Sequence, residues 1–351
     1  MVCPADGLLG ITQHNVSVGV RERCSQESLD SSFANVVRSL KTLGQIRLSE
    51  DRVRRIVEAE GQRVQRVRKT NALGASFTSA DCADGVMVTG ADGVFVPVVP
   101  ESQKATRRKT EAKKRAAEGR KSMRRPGRPK KGADGPYTEA KLATFYSQDK
   151  KYLHVITTLG DCNELGRQMR REARKIKLDE ARFSYLIADG AKWIARQYHK
   201  QLPMLNEHIL DWYHFKEHVV ETSHGVYGKT NPKAKDWQEK MLEAAWQQGS
   251  LVMLHRLGPY ERRHTGENRE TLANLRGYVE PRTAMTDYPR FIEQGYDCGS
   301  GPTESQCCTT TARVKGPGMR WDNDNADAML ALAALDHSNL WNTYWTHQRA
   351  A

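Results

Sequence analysis

GVMVTGADGVFVPVV, residues 85–99, contains two apolar runs on either side of Asp92 and Gly93. Each run has the length and the β-branched composition of a short strand, and Asp-Gly is a frequent turn signal. We therefore predict two short strands around Asp92-Gly93. The glycine lets the chain turn away, which leaves the aspartate carboxylate at the end of the sheet.

Four further segments extend this pattern along the chain. They are KLATFY (141–146), YLHVITTLG (152–160), FSYLIADG (183–190), which ends near Asp189, and HILDWYH (208–214), which contains Asp211. A helical run, ELGRQMRREARKI, separates the second from the third. Strands that alternate with helices indicate an α/β fold, here a mixed sheet flanked by helices, and we assign it to residues 71–345.

The sequence of the N-terminal region, residues 1–70, predicts two helices joined by a turn. SLDSSFANVVRSLKTLG ends at Gly44, and Ser49 caps SEDRVRRIVEAEG, which ends at Gly61. A DNA-binding helix-turn-helix fits this pattern, and so does a simple two-helix hairpin. The candidate DNA-binding side chains, which lie off the apolar stripe of the second helix, are Arg52, Arg54 and Arg55.

Residues 101–136 form a basic segment with fourteen Lys or Arg and four Asp or Glu, and they supply +10 of the net charge of +13. The segment has almost no large apolar side chains, so we predict disorder or a loose helix without a partner. Its RRPGRPKK run resembles an AT-hook, which enters the narrow minor groove of A·T-rich DNA, although Pro126 replaces the usual arginine. The alternative is an unspecific basic loop. The candidate DNA-binding residues here are Arg124, Arg125, Arg128, Lys130 and Lys131.

Composition narrows the class of protein. No stretch approaches the roughly 20 apolar residues of a membrane span, and the N-terminus lacks a signal-peptide pattern, so we predict a soluble, cytoplasmic protein. Seven scattered cysteines without a CxxC pair indicate reduced thiols, with Cys307 and Cys308 as small buried side chains. The excess positive charge indicates a polyanionic partner.

Three carboxylates are candidates for a metal site. Asp92 and Asp189 each precede a glycine at a predicted strand end, and Glu304 lies in CGSGPTESQCC (298–308), directly before a predicted helix. Separate carboxylates around an open site suit Mg²⁺, and two such ions can promote attack on a phosphodiester. If Glu304 is a ligand, the first turn of its helix must lie against the sheet near both aspartates.

Each of these carboxylates also has an alternative interpretation. With Gly301 as N-cap, Glu304 would be the third helical residue, where an acidic side chain is favoured for structural reasons alone. Asp84 precedes another glycine and could be the first ligand in place of Asp92. Asp211 could likewise replace Asp189, or could pair with His214 and support the site without binding metal.

Four motifs together carry a resemblance to a known family. ADGVFVP, IADGAKWI, ILDWYHFKEH, and GSGPTES with GMRW resemble, in the same order, the transposases of the ISKra4 insertion-sequence family. Those are DDE enzymes with an RNase H-like core and a five-stranded mixed sheet. The resemblance covers most of the chain, from near residue 3 to about residue 345.

The resemblance implies an acidic triad of Asp92, Asp189 and Glu304 that binds Mg²⁺ or Mn²⁺. Asp211 and His214 match the Asp/Cys-x-x-His element that supports the site in related Mutator-type transposases, and residues 215–290, which have a mostly helical pattern, become a helical insertion before the last catalytic helix. Arg313 and Lys315, just beyond that helix, are further candidate DNA contacts.

The implied activity is metal-dependent cleavage and strand transfer at the ends of an insertion sequence. The implied partners are transposon-end DNA, target DNA and further copies of the chain, and the implied location is the cytoplasm, in association with the nucleoid. The chain begins Met1-Val-Cys-Pro, without the cysteine-rich ribbon that many family members carry upstream. The alternative is therefore a truncated or inactive DNA-binding protein derived from such a transposase.

Overall fold

A computed structural model of the chain describes residue 11, residues 16–120 and residues 131–350. At its centre is one five-stranded sheet with the order β3-β2-β1-β4-β5. The strands are β1 Val86–Pro97, β2 Tyr137–Ser147, β3 Leu153–Thr158, β4 Phe183–Ala188 and β5 Glu207–Leu210. β1, β2 and β3 form an antiparallel meander, whereas β4 and β5 run parallel to β1. The predicted α/β fold with a mixed sheet is confirmed.

The helices surround this sheet. In chain order they are α1 Val18–Asp30, α2 Phe33–Gly44, α3 Glu50–Lys69, α4 Glu101–Ala117, α5 Cys162–Lys175, α6 Lys192–Gln201, α7 Trp212–Tyr227, α8 Pro232–Gln248, α9 Ser250–Arg263, α10 Gly266–Val279, α11 Tyr288–Glu293, α12 Gly301–Thr311, α13 Asn323–His337 and α14 Trp341–Ala350. A short 3-10 segment, Glu280–Met285, joins α10 to α11.

Successive residues of β1 point to opposite faces of the sheet and so enter different apolar clusters. Met87 packs with α5 and α6 on one face. Val88 packs with the helices α7 to α11 on the other face. Val96, near the end of β1, and Val98, just after it, join a third cluster, formed with α1, α2, α3, α13 and α14. The sheet is therefore covered on both faces.

The prediction of two strands around Asp92-Gly93 is wrong, because β1 is one continuous strand. Asp92 pairs with Leu142 of β2, and Gly93 pairs with Lys141. Gly93 does not turn the chain, since the ladder with β2 continues through it to Pro97. The pairing of β1 with β4, in contrast, ends at Gly90 and Ile187. Asp92 therefore lies within β1, but just beyond the end of its parallel neighbour.

The N-terminal helices differ from the prediction in two respects. The second helix, α3, does not end at Gly61 but continues to Lys69. Gly61 instead lets α3 approach α13, because a Cβ atom there would lie 2.3 Å from the carbonyl oxygen of Ala328. Ser28, Leu29 and Asp30 also belong to a separate helix, α1, and α2 begins only after the N-cap Ser32.

The N-terminal and C-terminal helices are further joined by a buried polar contact. Arg21 of α1 and Glu60 of α3 are each only 2% exposed, and their charged groups lie 3.6 Å apart. The hydroxyl of Tyr344 on α14 donates to the same glutamate. The predicted helix-turn-helix therefore packs against the last helices of the chain.

The basic segment begins as a helix. α4 contains no buried residue, which agrees with the predicted loose helix and not with disorder in this part. The chain returns towards β2 through a backbone contact between Ala133 and Glu101. Of the AT-hook candidates, Arg124, Arg125, Arg128 and Lys130 lie outside the described residues.

The helical pattern predicted for residues 215–290 is confirmed, although the first of these helices, α7, already begins at Trp212. The described cysteines are all unpaired. Cys307 is buried as predicted, whereas Cys308 is exposed, because it lies on the outer side of α12. Within the described part of the chain, no helix is both long and apolar enough to cross a membrane.

Candidate active site

Asp92 and Asp189 lie at the same level of two adjacent parallel strands. The last paired residues of β1 and β4 are Gly90 and Ile187, and each aspartate follows two residues later. Burial raises the pKa of the Asp92 carboxyl, and the negative charge of Asp189 raises it further, against the opposing hydrogen bond from the Gly93 N–H. The Asp189 Oδ1 accepts a hydrogen bond of 2.8 Å from the N–H of Ala191.

The alternative first ligand, Asp84, lies at the opposite end of β1. It precedes the strand, in a left-handed turn with φ of 54°. The extended stretch of β1 from Val86 to Asp92 separates the two carboxylates, and it corresponds to roughly 20 Å. Asp84 is therefore remote from the Asp92–Asp189 pair.

Glu304 lies in the first turn of α12, and this turn packs directly on the sheet. The hydroxyl of the preceding residue, Thr303, is 2.8 Å from that of Thr144 on β2. A Cβ atom at Gly90 would lie 2.0 Å from the same Thr303 hydroxyl, so a glycine at this point lets the helix contact β1. The helix thus crosses β1 two residues before Asp92, as a shared site requires.

Cys307, one turn further along α12, connects Glu304 with Asp92. Its thiol lies close enough to the Asp92 carboxyl to affect the pKa of that group. Burial raises the pKa of this thiol, and the charges of Asp92 and, more weakly, Glu304 raise it further. The spacing from Glu304 to Cys307 places both on one side of α12, but no local signal in the sequence marked the proximity of Cys307 to Asp92.

The structural interpretation of Glu304 as an acidic residue in the first turn of a helix also fits, but the helix begins one residue earlier. Ser300 is the N-cap, which makes Glu304 the fourth helical residue and not the third. Within the described residues, the Ser300 hydroxyl accepts no hydrogen bond from a backbone N–H of this turn. The Ser300 hydroxyl donates to the Glu304 Oε1 over 2.9 Å. The Glu304 side chain is nevertheless exposed, so its carboxylate is accessible to a ligand.

Asp211 links the beginning of α7 to the beginning of α12. It is fully buried and caps α7, where its Oδ1 accepts a hydrogen bond of 2.9 Å from the N–H of His214. Its Oδ2 accepts from the N–H of Ser300. Next to it, the N–H of Trp212 donates to the carbonyl oxygen of Cys298 over 2.8 Å. Both helices therefore begin at the same point above the sheet.

Among the described residues, one group of three potential metal ligands has all its ligand atoms within 4.8 Å of one another, namely Asp211, His214 and Glu304. Asp92 and Asp189 are not members of this group. The structure therefore brings Glu304 close to the two predicted supporting residues, while Asp92 and Asp189 are brought together by strand register. His214 is also close enough to Asp92 for its charge to lower the pKa of that carboxyl.

The helical insertion contributes two side chains that the sequence did not indicate. Tyr278 of α10 and Arg282 of the following 3-10 segment both donate to the backbone of the Asp189-Gly190 turn. Nothing in the local pattern around either residue separates it from the other aromatic and basic residues of this region. Only the fold shows that both reach the Asp189-Gly190 turn.

The candidate DNA-binding arginines of α3 lie on its outer side, as predicted. Arg52 and Arg55 are exposed, and Arg54 is partly exposed. Arg54 and Arg55 each form a salt bridge of 2.6 Å with Asp51. To contact phosphate, these two side chains would have to leave Asp51. Breaking such a surface ion pair costs little free energy.

Arg313 and Lys315 have different positions. Lys315 is exposed. Arg313 is only 8% exposed, its guanidinium lies 5.1 Å from the ring centres of both Phe33 and Trp321, and its Nε donates to the carbonyl oxygen of Ser28. Arg313 therefore connects the N-terminal helices to the C-terminal region and does not present its charge to DNA. Lys131 is exposed and pairs with Asp134.

Comparison with models of known protein families finds no match for this chain, and comparison with curated proteins finds none either. The chemistry that the site could carry out is therefore inferred from its own side chains. Four elements, namely β1, β4, α7 and α12, bring four carboxylates and one imidazole to one edge of the sheet, an arrangement suited to a hard or borderline divalent cation.

Proposed function

We propose that this protein is a metal-dependent DDE transposase with an RNase H-like core. The observation that carries the proposal is the convergence of Asp92 on β1, Asp189 after β4 and the first turn of α12, which bears Glu304, at one edge of the sheet. An antiparallel meander followed by two strands parallel to the first is compatible with that core. The four sequence motifs resembling ISKra4 transposases lie at these same positions.

The proposed ligands are Asp92, Asp189 and Glu304, and the proposed ions are Mg²⁺ or Mn²⁺. When bound, two such ions about 4 Å apart would activate the attacking oxygen and stabilise the leaving oxygen of a phosphodiester. Asp211 fixes the beginnings of α7 and α12, and so sets the direction from which Glu304 approaches. No side chain has to form a covalent intermediate.

The proposed reaction has two steps. Water attacks the phosphodiester at the end of the element, which breaks the bond to the 3′ oxygen and frees a 3′-hydroxyl. This hydroxyl then attacks a phosphodiester of target DNA, and the 3′ oxygen of that target strand leaves. The number of phosphodiester bonds is unchanged in the second step, so it needs no external energy source.

The proposed DNA contacts are the exposed arginines of α3 and the basic helix α4. α4 carries seven Lys or Arg and two Asp or Glu, and no residue of it is buried. Such a helix offers its cations to a polyanion without loss of internal packing. We further propose that several copies of the chain assemble on paired transposon ends in the nucleoid.

The second candidate function is a transposase-derived DNA-binding protein that no longer cuts. The observation that favours it is the separation within the site, since Glu304 groups with Asp211 and His214 but not with both aspartates. DNA binding without cleavage in the presence of either metal would support it.

The test is cleavage of DNA that contains the gene and its flanking sequences, with Mg²⁺ or Mn²⁺. We expect Asp92→Asn, Asp189→Asn and Glu304→Gln each to reduce cleavage by at least about 100-fold, because each removes a ligand charge. Asp84→Asn is the matched control, since this exposed carboxylate lies at the other end of β1 and its loss should leave cleavage unchanged. Cleavage retained in the three site variants would contradict the proposed enzyme.

A further inference from the structure

The turn that follows Asp189 is tightly confined. Gly190 has a φ of +79°, a conformation that glycine adopts at little cost. A Cβ atom at this position would lie 2.7 Å from Leu210 Cδ1 and 3.1 Å from the Nε of Arg282. The backbone therefore lies between the end of β5 and the helical insertion, with no space for a side chain.

Two residues of the helical insertion donate to the carbonyl oxygens of this turn. The Tyr278 hydroxyl donates to the Asp189 carbonyl oxygen over 3.4 Å. The Nη2 of Arg282 donates to the Gly190 carbonyl oxygen over 3.2 Å. Both hydrogen bonds are made to backbone carbonyl oxygens, so they fix the position of the turn. The Asp189 carboxylate itself remains available to bind a metal ion.

The two donors are themselves held in a stack of side chains. The Arg282 guanidinium lies 4.4 Å from the centre of the Tyr278 ring, and its Nη1 donates to the Tyr278 carbonyl oxygen over 2.7 Å. The His218 ring centre lies 3.7 Å from that of Tyr278. His218 belongs to α7, one turn after His214. The stack therefore connects the turn at Asp189 to the helix that carries the other part of the site.

Arg282 differs from other arginines of the same region in its partners. Arg276 pairs with Glu261, and Arg290 pairs with Glu207 and Asp287. For Arg282, the described residues provide no ion pair within 4.0 Å, and its hydrogen bonds go to carbonyl oxygens. Its charge is directed at the backbone of the turn, which indicates a role specific to this turn.

We infer that Arg282 and Tyr278 are positioning residues that orient the Asp189 carboxylate for metal binding, an inference that rests on the proposed function. Because the Asp189 Oδ1 accepts from the Ala191 N–H, the direction of the other carboxylate oxygen follows from the backbone of residues 189–191. That backbone is fixed by the two donors. The helical insertion therefore sets the geometry of the second aspartate.

The experiment measures Mn²⁺ binding to the full chain by electron paramagnetic resonance, together with DNA cleavage as a function of Mn²⁺ concentration. We expect Tyr278→Phe and Arg282→Gln each to weaken Mn²⁺ binding about tenfold, as is usual when a residue that orients a ligand is lost. Cleavage should return to within a few fold of wild type at saturating Mn²⁺. A purely structural role would not produce this recovery.

Arg290→Gln is the matched control, because it breaks an ion pair of the same region without touching the turn at Asp189. It should leave Mn²⁺ affinity unchanged. Tyr278→Phe removes a single hydroxyl, so it keeps the test valid if Arg282→Gln does not fold. Suppose that wild type binds Mn²⁺ and Asp189→Asn does not. Wild-type Mn²⁺ affinity in Tyr278→Phe would then overturn this inference but not the proposed function. Absence of Mn²⁺ binding and cleavage in wild type would overturn the proposed function as well.

Discussion

The buried carboxylate of Asp211 accepts a hydrogen bond from the backbone N–H of Ser300, 89 residues further along the chain. The same carboxylate caps α7 through the N–H of His214. One side chain thus accepts hydrogen bonds from backbone N–H groups at the beginnings of two helices that are remote in sequence. The position of Glu304 above the sheet depends on this contact.

We predict that Asp211→Ala lowers the free energy of unfolding by about 2–4 kcal/mol, because two N–H groups lose their buried acceptor. Urea denaturation measures this loss. Asp161→Ala is the control, since Asp161 is an exposed N-cap with a single N–H partner, Glu164, and its loss should cost about 1 kcal/mol. Equal losses in the two variants would show that Asp211 is no more than an ordinary cap.

The close approach of α3 and α13 at Gly61 gives a second prediction. Gly61→Ala places a methyl group 2.3 Å from the Ala328 carbonyl oxygen, so the helices must separate. We expect a loss of about 1–3 kcal/mol in the free energy of unfolding. Gly277→Ala is the control, because a Cβ there meets nothing within 4 Å, and it should stabilise by up to about 1 kcal/mol. A stabilised Gly61→Ala variant would contradict the packing.

The basic helix α4 should determine how strongly general DNA affinity depends on salt. Arg107, Lys109, Lys113 and Lys114 are exposed on this helix. Replacing all four with glutamine should weaken binding to a random-sequence duplex and reduce the slope of log affinity against log salt by up to about 3–4. Fluorescence anisotropy over a range of salt concentrations measures both quantities.

The control for α4 is a variant with the same change in net charge elsewhere. Lys229, Lys233, Lys235 and Lys240 are exposed on the helical insertion, and their replacement with glutamine should change the slope much less. Equal slopes for the two quadruple variants would mean that net charge, and not α4, controls affinity.

His208 should make the fold sensitive to acid. Burial, aided by the positive charge of Arg282, lowers the pKa of this imidazole to about 4. In the unfolded chain its pKa is about 6.5, so between these values the unfolded chain binds a proton that the folded chain does not. The stabilising contribution of His208 is therefore fully present above a pH of about 6.5 and is lost as the pH falls towards 4.

We expect the contribution of His208 to this loss to be about 2 kcal/mol. It is measured by urea denaturation of wild type and His208→Gln at several pH values. The variant should lose less stability between neutral and acidic pH than wild type does. His255→Gln, which removes an exposed histidine, should behave like wild type. Parallel pH profiles for wild type and His208→Gln would contradict the prediction.

Several features of the fold could be predicted from local patterns. Apolar runs indicated the positions of the strands, and Ser49 marked the beginning of α3. These signals depend on residues that are close in sequence, namely alternation, caps and the absence of large apolar side chains. The same signals gave wrong predictions at Gly93 and Gly61. Each glycine lies against a distant segment of the chain and does not end a strand or a helix.

The candidate site was predictable in part. Asp189 and Glu304 could be identified as candidates because each lies at the boundary of a strand or helix. Asp92 could be identified because a glycine follows it, although Asp92 lies within a strand. The roles of Cys307, Tyr278 and Arg282 were not visible, because a thiol, a phenol or a guanidinium in a helical segment has no local mark of its distant partner. The burial of Arg313 between two aromatic rings was likewise invisible in its neighbours.

The sequence by itself determined that this chain forms an α/β fold with a mixed sheet, a basic segment and a helical region after the last strand, because periodicity and charge are local properties. Only the tertiary structure decided that β1 is continuous, that α3 packs on α13 through Gly61, and that Asp211, His214 and Glu304 share one point above the sheet. Strand register and helix packing depend on the complementarity of surfaces far apart in sequence, and the free energy of those contacts outweighs the local preference of any single glycine or cap.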